Sequence, residues 1–312
     1  MTDRRSITFV IAAYNEQAAL PLMHARLAAV MDALDADAQV LYVDDGSRDG
    51  TWDVMQQLAA ADPRVGLLRL ARNFGKELAL TAGLDHVDTD AAMVLDADGQ
   101  DPPELVPQFV AKWREGYDVV YGTRLRRDSE TWLKRATAAA FYRVMGRLSD
   151  TSIPRDTGDF RLISRRVLDA LRQMRERQRF MKGLFAWVGF RQVSFPYERE
   201  ARVAGGSKFN YWRLWNLALE GITSFSTVPL RLATYVGVFT AIVAFAWGLW
   251  IIARTVLWGD PVQGWPSLMT AMLFLGGLQL VALGIVGEYL GRLYVEVKQR
   301  PLYLVGDWRP RR

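Results

Sequence analysis

The chain has 312 residues, a formal net charge of +5 and a hydrophobic fraction of 50%, with 11 tryptophans and no cysteine. The lack of cysteine excludes disulfides, thiolate metal ligands and a cysteine nucleophile. The hydrophobic fraction is high for a wholly soluble enzyme and low for a polytopic transporter, so we expect a soluble domain joined to a membrane segment. The positive charge is compatible with binding to nucleic acid, anionic lipid or phosphorylated substrates. The positions of the basic residues along the chain are needed to choose among these three partners.

Strands and helices are predicted to alternate over the first 124 residues. Residues 1–6 lead directly into an apolar run that is too short for a signal peptide, so we expect this half of the protein to stay in the cytoplasm. Alternating strands and helices are typical of a parallel α/β sheet with right-handed crossovers. The patterns predict strands at residues 7–13, 40–43, 65–70, 92–95 and 119–124, and helices at residues 18–34, from about 76 to 87 and at residues 103–113.

Acidic and amide side chains follow the predicted strands where the chain turns. Asp96, Asp98 and Gln100 come after the fourth strand, and Asp44 and Asp45 come after the second. In a parallel sheet these strand ends meet at one edge, which is where ligands bind in open α/β folds. Two carboxylates one residue apart, with an amide oxygen nearby, suit a hard divalent cation that also holds phosphate oxygens. A lone Asp-x-Asp pair is more often a solvated acidic turn, so the pair alone does not establish a metal site.

Basic residues concentrate after the fifth strand and in a later loop. The first group begins at Arg124 and includes Arg135, although an ordinary solvated helix face would also explain it. Residues 157–163 are predicted as a turn that enters a short strand. The loop at residues 205–208 combines two glycines with small polar and basic groups that suit closure over a diphosphate; a mobile surface loop is the alternative.

The last third of the chain changes in character. Residues 211–222 place aromatic and aliphatic side chains at helical spacing, which favours a helix in a membrane interface, with packing on a core as the alternative. Residues 232–253 and 267–287 are uncharged over 22 and 21 positions, and each run is long enough to cross the roughly 30 Å hydrocarbon core. We therefore predict a catalytic domain at 1–210, an interfacial amphipathic helix at 211–230, a two-helix transmembrane anchor at 231–290 and a basic cytoplasmic tail at 291–312.

The charges that flank the predicted spans set their orientation. Residues 254–266 hold one Arg and one Asp, whereas residues 191–231 and residues 288–312 each hold six Lys or Arg. By the positive-inside rule, both termini and the first domain lie on the cytoplasmic face of the inner membrane. Anionic headgroups and phosphate groups then explain the basic excess. No recognised nucleic-acid-binding motif is found, so we expect a lipid bilayer and no nucleic acid among the partners.

Seven motifs occur in order along nearly the whole chain: Ala13-Tyr14-Asn15-Glu16, Val43-Asp44-Asp45-Gly46-Ser47, Asn73-Phe74-Gly75-Lys76, residues 96–104, Thr157-Gly158-Asp159-Phe160-Arg161, Gly206-Ser207-Lys208 and residues 287–292. Together they are much more specific than any one alone. With them the sequence resembles the family 2 glycosyltransferases, and within that family the polyprenyl-phosphate glycosyltransferases, a branch that includes dolichol-phosphate mannose synthase. The resemblance is strongest to bacterial undecaprenyl-phosphate glucosyltransferases.

The resemblance implies a GT-A fold, which is Rossmann-like with a mostly parallel sheet, and a role for each matching residue. The implied nucleotide-sugar site consists of Tyr14, Asn15, Glu16, Asp44 and Asp45, with Arg202, Ser207 and Lys208 closing over the diphosphate. The implied metal site for Mg²⁺ or Mn²⁺ consists of Asp96, Asp98 and Gln100. Arg124 and Arg135 match positions that bind the phosphate of the acceptor, and Asp159 matches the catalytic residue.

The activity implied by the resemblance is the inverting, metal-dependent transfer of a hexose from a nucleotide sugar, UDP-glucose first, to polyprenyl (undecaprenyl) phosphate. A UDP-aminoarabinose derivative, UDP-N-acetylhexosamine and GDP-mannose are alternative donors, since no motif reports which sugar is held. The family assigns Asp159 as a base. A lipid monophosphate, however, has a second pKa of about 6 and is mostly ionised at pH 7. We therefore expect Asp159 mainly to orient the acceptor or the sugar.

Three further expectations concern the kind of protein. Members of this branch are often homo-oligomers, tetramers among them, so we expect a homo-oligomer. A processive polysaccharide synthase is disfavoured, because the Gln-x-x-Arg-Trp motif of such enzymes is absent from the sequence. A non-catalytic lipid-binding scaffold is the alternative from another class, and the intact carboxylates and Asp159 count against it.

Overall fold

The computed structural model describes residues 5–125, 157–177, 179–198, 228–258 and 264–311. The predicted alternation of strands and helices is present in the first of these ranges. The strands are β1 Ser6–Ala13, β2 Asp37–Asp44, β3 Val65–Leu70, β4 Ala91–Asp96, β5 Val119–Arg124, β6 Thr157–Ser164, β7 Gln192–Tyr197 and β8 Val305–Arg309. The helices are α1 Leu20–Ala33, α2 Thr51–Ala61, α3 Lys76–Asp85, a 3₁₀ turn Pro103–Leu105, α4 Val106–Arg114, α5 Arg165–Gln173, α6 Met181–Trp187, α7 Val228–Trp258 and α8 Trp265–Val297.

All eight described strands form one sheet in the order β7-β5-β6-β4-β1-β2-β3-β8. The four central strands β3, β2, β1 and β4 are parallel, and β5 and β7 are parallel to each other. Strand β6 is antiparallel to both of its neighbours, and β8 is antiparallel to β3. The prediction of a Rossmann-like, mostly parallel sheet is thus confirmed, and its four parallel strands bring their carboxyl ends to one edge.

The core has one apolar layer on each face of the sheet, because successive strand residues point to opposite sides. Phe9 and Ile11 of β1 pack with residues of α1, α2 and α4, while Val10 packs with α3 and α5 on the other face. Helix α3 lies so close to the sheet that a Cβ on Gly83 would be 2.4 Å from Val10 Cγ1. A larger residue at this position would force either Val10 or the helix that carries Lys76 to shift.

Helices α7 and α8 are 31 and 33 residues long and expose most of their large apolar side chains. Within them, Leu232–Trp258 and Ala271–Val297 are long and apolar enough to cross a membrane. The mean hydropathy of an 18-residue stretch is 2.2 in the first and 1.8 in the second. At 1.5 Å per residue, a 27-residue span is about 40 Å long. The two helices suggest membrane association. The predicted interfacial helix at residues 211–230 falls almost entirely outside the described residues.

The chain returns to the sheet after α8. The helix ends at Val297, and Gln299, two residues later, is left-handed with φ of 47°. Strand β8 then pairs with the edge of β3, and Leu68 lies opposite Trp308. The sequence did not predict a strand in this segment, because the short apolar run at residues 302–305 ends where the strand begins and the strand itself contains Gly306, Asp307 and Arg309. The segment extends the sheet that forms the first domain.

Candidate active site

A cavity of about 370 Å³ opens at the carboxyl-terminal edge of the parallel strands. Five residues selected from the sequence line it, so the fold brings together side chains separated by more than 80 residues. Those five are Tyr14, Glu16, Asp45, Asp96 and Asp98, and the other lining residues include Asn73, Gly75 and Lys76.

The turn after β1 is hydrogen-bonded to the turn after β2. Asn15 adopts a left-handed conformation with φ of 57°, which asparagine tolerates better than most residues. Its backbone N–H donates to Ser47 Oγ at 3.0 Å, and its side-chain Oδ1 accepts from the backbone N–H of Arg48 at 2.9 Å. The backbone N–H of Glu16 donates to Thr51 Oγ1 at 2.9 Å. Asn15 is not among the described lining residues of the cavity, and its bonds hold the neighbouring residues Tyr14 and Glu16 at the cavity.

The adjacent residues Asp44 and Asp45 differ in their contacts and in whether they line the cavity. Asp44 is fully buried, accepts a hydrogen bond from the backbone N–H of Ser47 at 2.9 Å and forms an ion pair with Arg69 at 3.1 Å. It is not among the described residues that line the cavity. Asp45 does line it and accepts hydrogen bonds from the backbone N–H groups of Phe74 and Gly75, at 2.7 and 2.9 Å. Burial raises the pKa of Asp45, and these two donors offset part of that rise.

Lys76 joins the two carboxylates that matter most for the chemistry. Its Nζ lies 2.5 Å from Asp96 Oδ1 and 2.5 Å from Asp159 Oδ2. Lys76 begins α3, Asp96 ends β4 and Asp159 lies in β6, so the ammonium group bridges three elements. Sequence reasoning noticed Lys76 only as part of a motif and gave it no role. Its position directly after Gly75, at the start of a predicted helix and at the same sheet edge, was the available signal.

The charges around Asp159 keep it ionised. Burial by itself would raise the pKa of Asp159, but the positive charges of Lys76 and Lys182 outweigh it and hold the pKa well below its usual range. Burial likewise opposes the charged form of Lys76, and the two carboxylates overcome this and raise its pKa. Arg161, two residues along β6, is fully buried; burial lowers its pKa to about 10, so it stays charged at neutral pH. Asp159 Oδ1 is buried without a hydrogen-bond partner among the described residues.

The described residues fit a divalent ion that is shared with a substrate. Asp96 and Asp98 line one cavity, and Asp98 Oδ1 accepts a hydrogen bond from the backbone N–H of Gln100 at 3.2 Å. Gln100 is not among the described lining residues. Within the described part of the chain, no three His, Asp or Glu side chains cluster as a metal site. Mg²⁺ is commonly held by one or two carboxylates plus substrate phosphates, so this donor set suits such an ion and not an all-protein cage.

Several predicted site residues are not placed. Arg124 ends β5, and nothing is described of its side chain. Arg135, Arg202, Ser207 and Lys208 lie outside the described residues.

Comparison with known proteins decides the family. A model of glycosyl transferase family 2 matches residues 8–172, which is just over half of the chain. The chain belongs to this family. A second model, the GtrB C-terminal hairpin, matches residues 228–293 and so covers α7 and most of α8. The predictions of a GT-A fold and of a glycosyltransferase enzyme are confirmed.

Relatives of this glycosyltransferase align over nearly the full length of both chains. A glycosyltransferase of Synechocystis sp. is 50% identical over 96% of this chain and 95% of its own. The SfII prophage-derived bactoprenol glucosyl transferase of Shigella flexneri is 46% identical over 96% of this chain and 97% of its own. The prophage bactoprenol glucosyl transferase homolog of Escherichia coli K12 is 45% identical over 96% and 98%.

Proposed function

We propose that this glycosyltransferase moves a hexose, with glucose from UDP-glucose as the first candidate, onto the phosphate of polyprenyl phosphate at the cytoplasmic face of the membrane. The observation that carries the proposal is the full-length similarity to bactoprenol glucosyl transferases, at 45–46% identity. The family model spans the residues that line the polar cavity, and the hairpin model spans the two long helices. An acceptor whose phosphate is confined to the headgroup plane is supplied at high effective concentration to an enzyme held at the same surface.

In this proposal the nucleotide lies against Tyr14, Glu16 and Asp45. Tyr14 keeps 39% of its surface exposed at the cavity, which leaves its ring accessible to a base. Asn15 and Asp44 serve the site indirectly, by holding the two turns that form its wall. The proposed roles of the remaining basic and hydroxyl residues rest on the family resemblance: Arg202, Ser207 and Lys208 toward the diphosphate, and Arg124 and Arg135 toward the acceptor phosphate.

We assign Mg²⁺ or Mn²⁺ to Asp96 and Asp98, with Gln100 in a supporting position. Such an ion, when bound, neutralises negative charge on the diphosphate of the leaving group. The protein's own contribution is to hold both carboxylates at one cavity, which the hydrogen bond to Asp98 and the ion pair of Asp96 both support.

Asp159 acts in this scheme by orientation and charge. A useful general base has a pKa near the working pH, whereas the cations around Asp159 hold its pKa far below that. The acceptor monophosphate has a second pKa of about 6 and is largely ionised already. We propose that Asp159 positions the acceptor or the sugar and favours positive charge at the anomeric carbon during inversion. An Asp159→Asn enzyme that regains its rate at high pH would contradict this assignment.

The membrane topology proposed is two crossings with both ends cytoplasmic. Strand β8 follows α8 and pairs with β3 of the catalytic sheet, so the chain must return to the side from which it left. An even number of crossings meets that condition, and α7 and α8 supply two.

A donor panel tests the proposal. Purified full-length protein is incubated with undecaprenyl phosphate, Mg²⁺ or Mn²⁺ and one radiolabelled donor at a time: UDP-glucose, UDP-N-acetylhexosamine, a UDP-aminoarabinose derivative or GDP-mannose. We expect lipid-extractable label from UDP-glucose, and we expect the labelled product to be β-linked. Without the metal ion, we expect no labelled lipid. Transfer from a different donor would change the assignment of the donor sugar. Transfer from none of the donors would refute the proposed reaction.

A further inference from the structure

A second cavity of about 300 Å³ lies where the end of α8 meets the catalytic domain. It has no lining residue in common with the cavity at the sheet edge. Four of its described lining residues are cationic, and no described lining residue is a carboxylate. The four are Arg72, Arg177, Lys298 and Arg300. We call this space the junction cavity.

The cations of the junction cavity are held in place by aromatic rings and by the chain. The Arg72 guanidinium lies 4.2 Å from the centroid of the Phe74 ring, and Lys298 Nζ lies 4.2 Å from that of Tyr294. Arg177 is ordered by Glu296, which accepts a hydrogen bond from the Arg177 backbone N–H at 2.6 Å. The Arg177 Nε is buried and has no hydrogen-bond partner among the described residues. Arg177 also forms an ion pair with Glu296 at 3.9 Å, so one of the four charges is partly compensated, and the described lining residues themselves supply no carboxylate.

The end of α8 also fixes the level of the junction cavity relative to a bilayer. The uncharged part of α8 ends at residue 287, and the ten residues from Glu288 to Val297, about 15 Å of helix, carry the chain from the hydrocarbon core through the headgroup region. Lys298 and Arg300 follow directly after this span, and the left-handed turn at Gln299 separates them. Basic groups at this level meet lipid phosphates, and each contributes to attraction for an anionic surface.

We propose that the junction cavity is a second anion site, which binds the phosphate group of an anionic molecule, with a membrane phospholipid headgroup as the source that its position favours. Arginine suits such a ligand because its planar fork contacts two phosphate oxygens at once. The described residues that line it are distinct from those that line the proposed donor site. Its occupant is a lipid retained at the base of the hairpin and not a reactant.

Native mass spectrometry of the detergent-solubilised full-length protein tests the proposal. The protein is titrated with dioleoylphosphatidylglycerol, with dioleoylphosphatidylcholine and with inorganic pyrophosphate. The test variant is Lys298→Gln/Arg300→Gln, in which both side chains are exposed, so the fold is retained. The matched control is Lys112→Gln/Arg114→Gln, which removes one lysine and one arginine from the last turn of α4.

We expect tighter binding of phosphatidylglycerol than of phosphatidylcholine, and about a tenfold loss of phosphatidylglycerol affinity in the test variant but not in the control. If pyrophosphate instead shows that loss and phosphatidylglycerol does not, the anion site stands and its ligand is a soluble phosphate. Equal affinities of the test and control variants for both anions overturn the proposal. Binding is measured without sugar transfer, so failure here is distinct from failure of the proposed reaction.

Discussion

Replacing Lys76 with glutamine removes a cation that Asp96 and Asp159 share. Both carboxylates are largely buried, with 17% and 11% of their side chains exposed, while 49% of the Lys76 side chain is exposed. Breaking a fully buried ion pair costs about 3–5 kcal/mol, whereas exposed pairs contribute at most about 1 kcal/mol. We place Lys76 between these limits, at about 1–2 kcal/mol, because solvent reaches half of it.

The expected consequence is a loss of about 5- to 30-fold in kcat/KM, since each 1.36 kcal/mol is a factor of ten. The two carboxylates then repel each other and leave the positions that the ammonium group imposes. Lys76→Arg keeps the charge and is expected to retain more activity than Lys76→Gln. Initial rates of transfer to undecaprenyl phosphate measure both, with thermal unfolding midpoints as the check on folding.

A double-mutant cycle with Asp159→Asn separates shared action from independent action. If Lys76 acts by holding Asp159, the Lys76→Gln/Asp159→Asn protein loses little more than the worse single variant. Fully multiplicative losses would show that the two residues act independently. That result, or a Lys76→Gln enzyme within twofold of the wild-type rate, would refute the bridging role.

Three other predictions follow from individual contacts. Gly46→Ala is expected to lower the free energy of unfolding by about 1–3 kcal/mol, because φ is +65° and the added Cβ would lie 2.5 Å from the Arg72 backbone. Gly189→Ala is the control, since φ is +67° but the nearest atom would be 3.7 Å away. Thermal unfolding should show a smaller loss of stability for Gly189→Ala than for Gly46→Ala. The hydrogen-bonded arginine partner of Asp62 lowers its pKa below 3.8, so its carboxylate stabilises the fold above that pH and the contribution disappears as the pH falls further. Asp62→Asn should therefore be less stable by about 1–2 kcal/mol at pH 7, with a gap that closes below pH 3.8; a gap that persists there would be contrary evidence. Asp98→Ala should lose at least about 100-fold in metal-supported transfer, and a wild-type rate would overturn the metal assignment.

The bounds of two strands were predicted to the residue, whereas β1, β2 and β4 extend beyond the apolar runs that predicted them. The bounds predicted for β3 and β5 agree with the structure, because each run is closed by turn residues and needs no distant information. Strand β8, in contrast, has the sequence Val-Gly-Asp-Trp-Arg and remains largely exposed. Its strand conformation comes from pairing with the open edge of β3, more than 230 residues earlier. A local pattern does not encode such a partner.

The carboxylates at the sheet edge were predictable as a set but not individually. The sequence placed acids after β2 and β4, and the structure brings them to one cavity. Which of two neighbouring acids faces that cavity depends on the phase of the strand, since successive side chains point to opposite faces. The outcome, Asp45 toward the cavity and Asp44 into the protein, was therefore not readable from composition. The reach of Lys76 to Asp96 and Asp159 depends on the same tertiary geometry.

The return of the chain to the sheet also explains how the cavity keeps a fixed relation to the hairpin. Glu296 at the end of α8 bonds the Arg177 backbone, Tyr303 donates to Asp85 Oδ2 at 2.9 Å, and β8 then pairs with β3. A single flexible tether would let the catalytic domain turn away from the membrane. These successive contacts along one short segment oppose such rotation, because each would have to break for the sheet to reorient. In the proposed reaction, an acceptor phosphate confined to the headgroup plane thus meets a site whose orientation the C-terminal segment has already set.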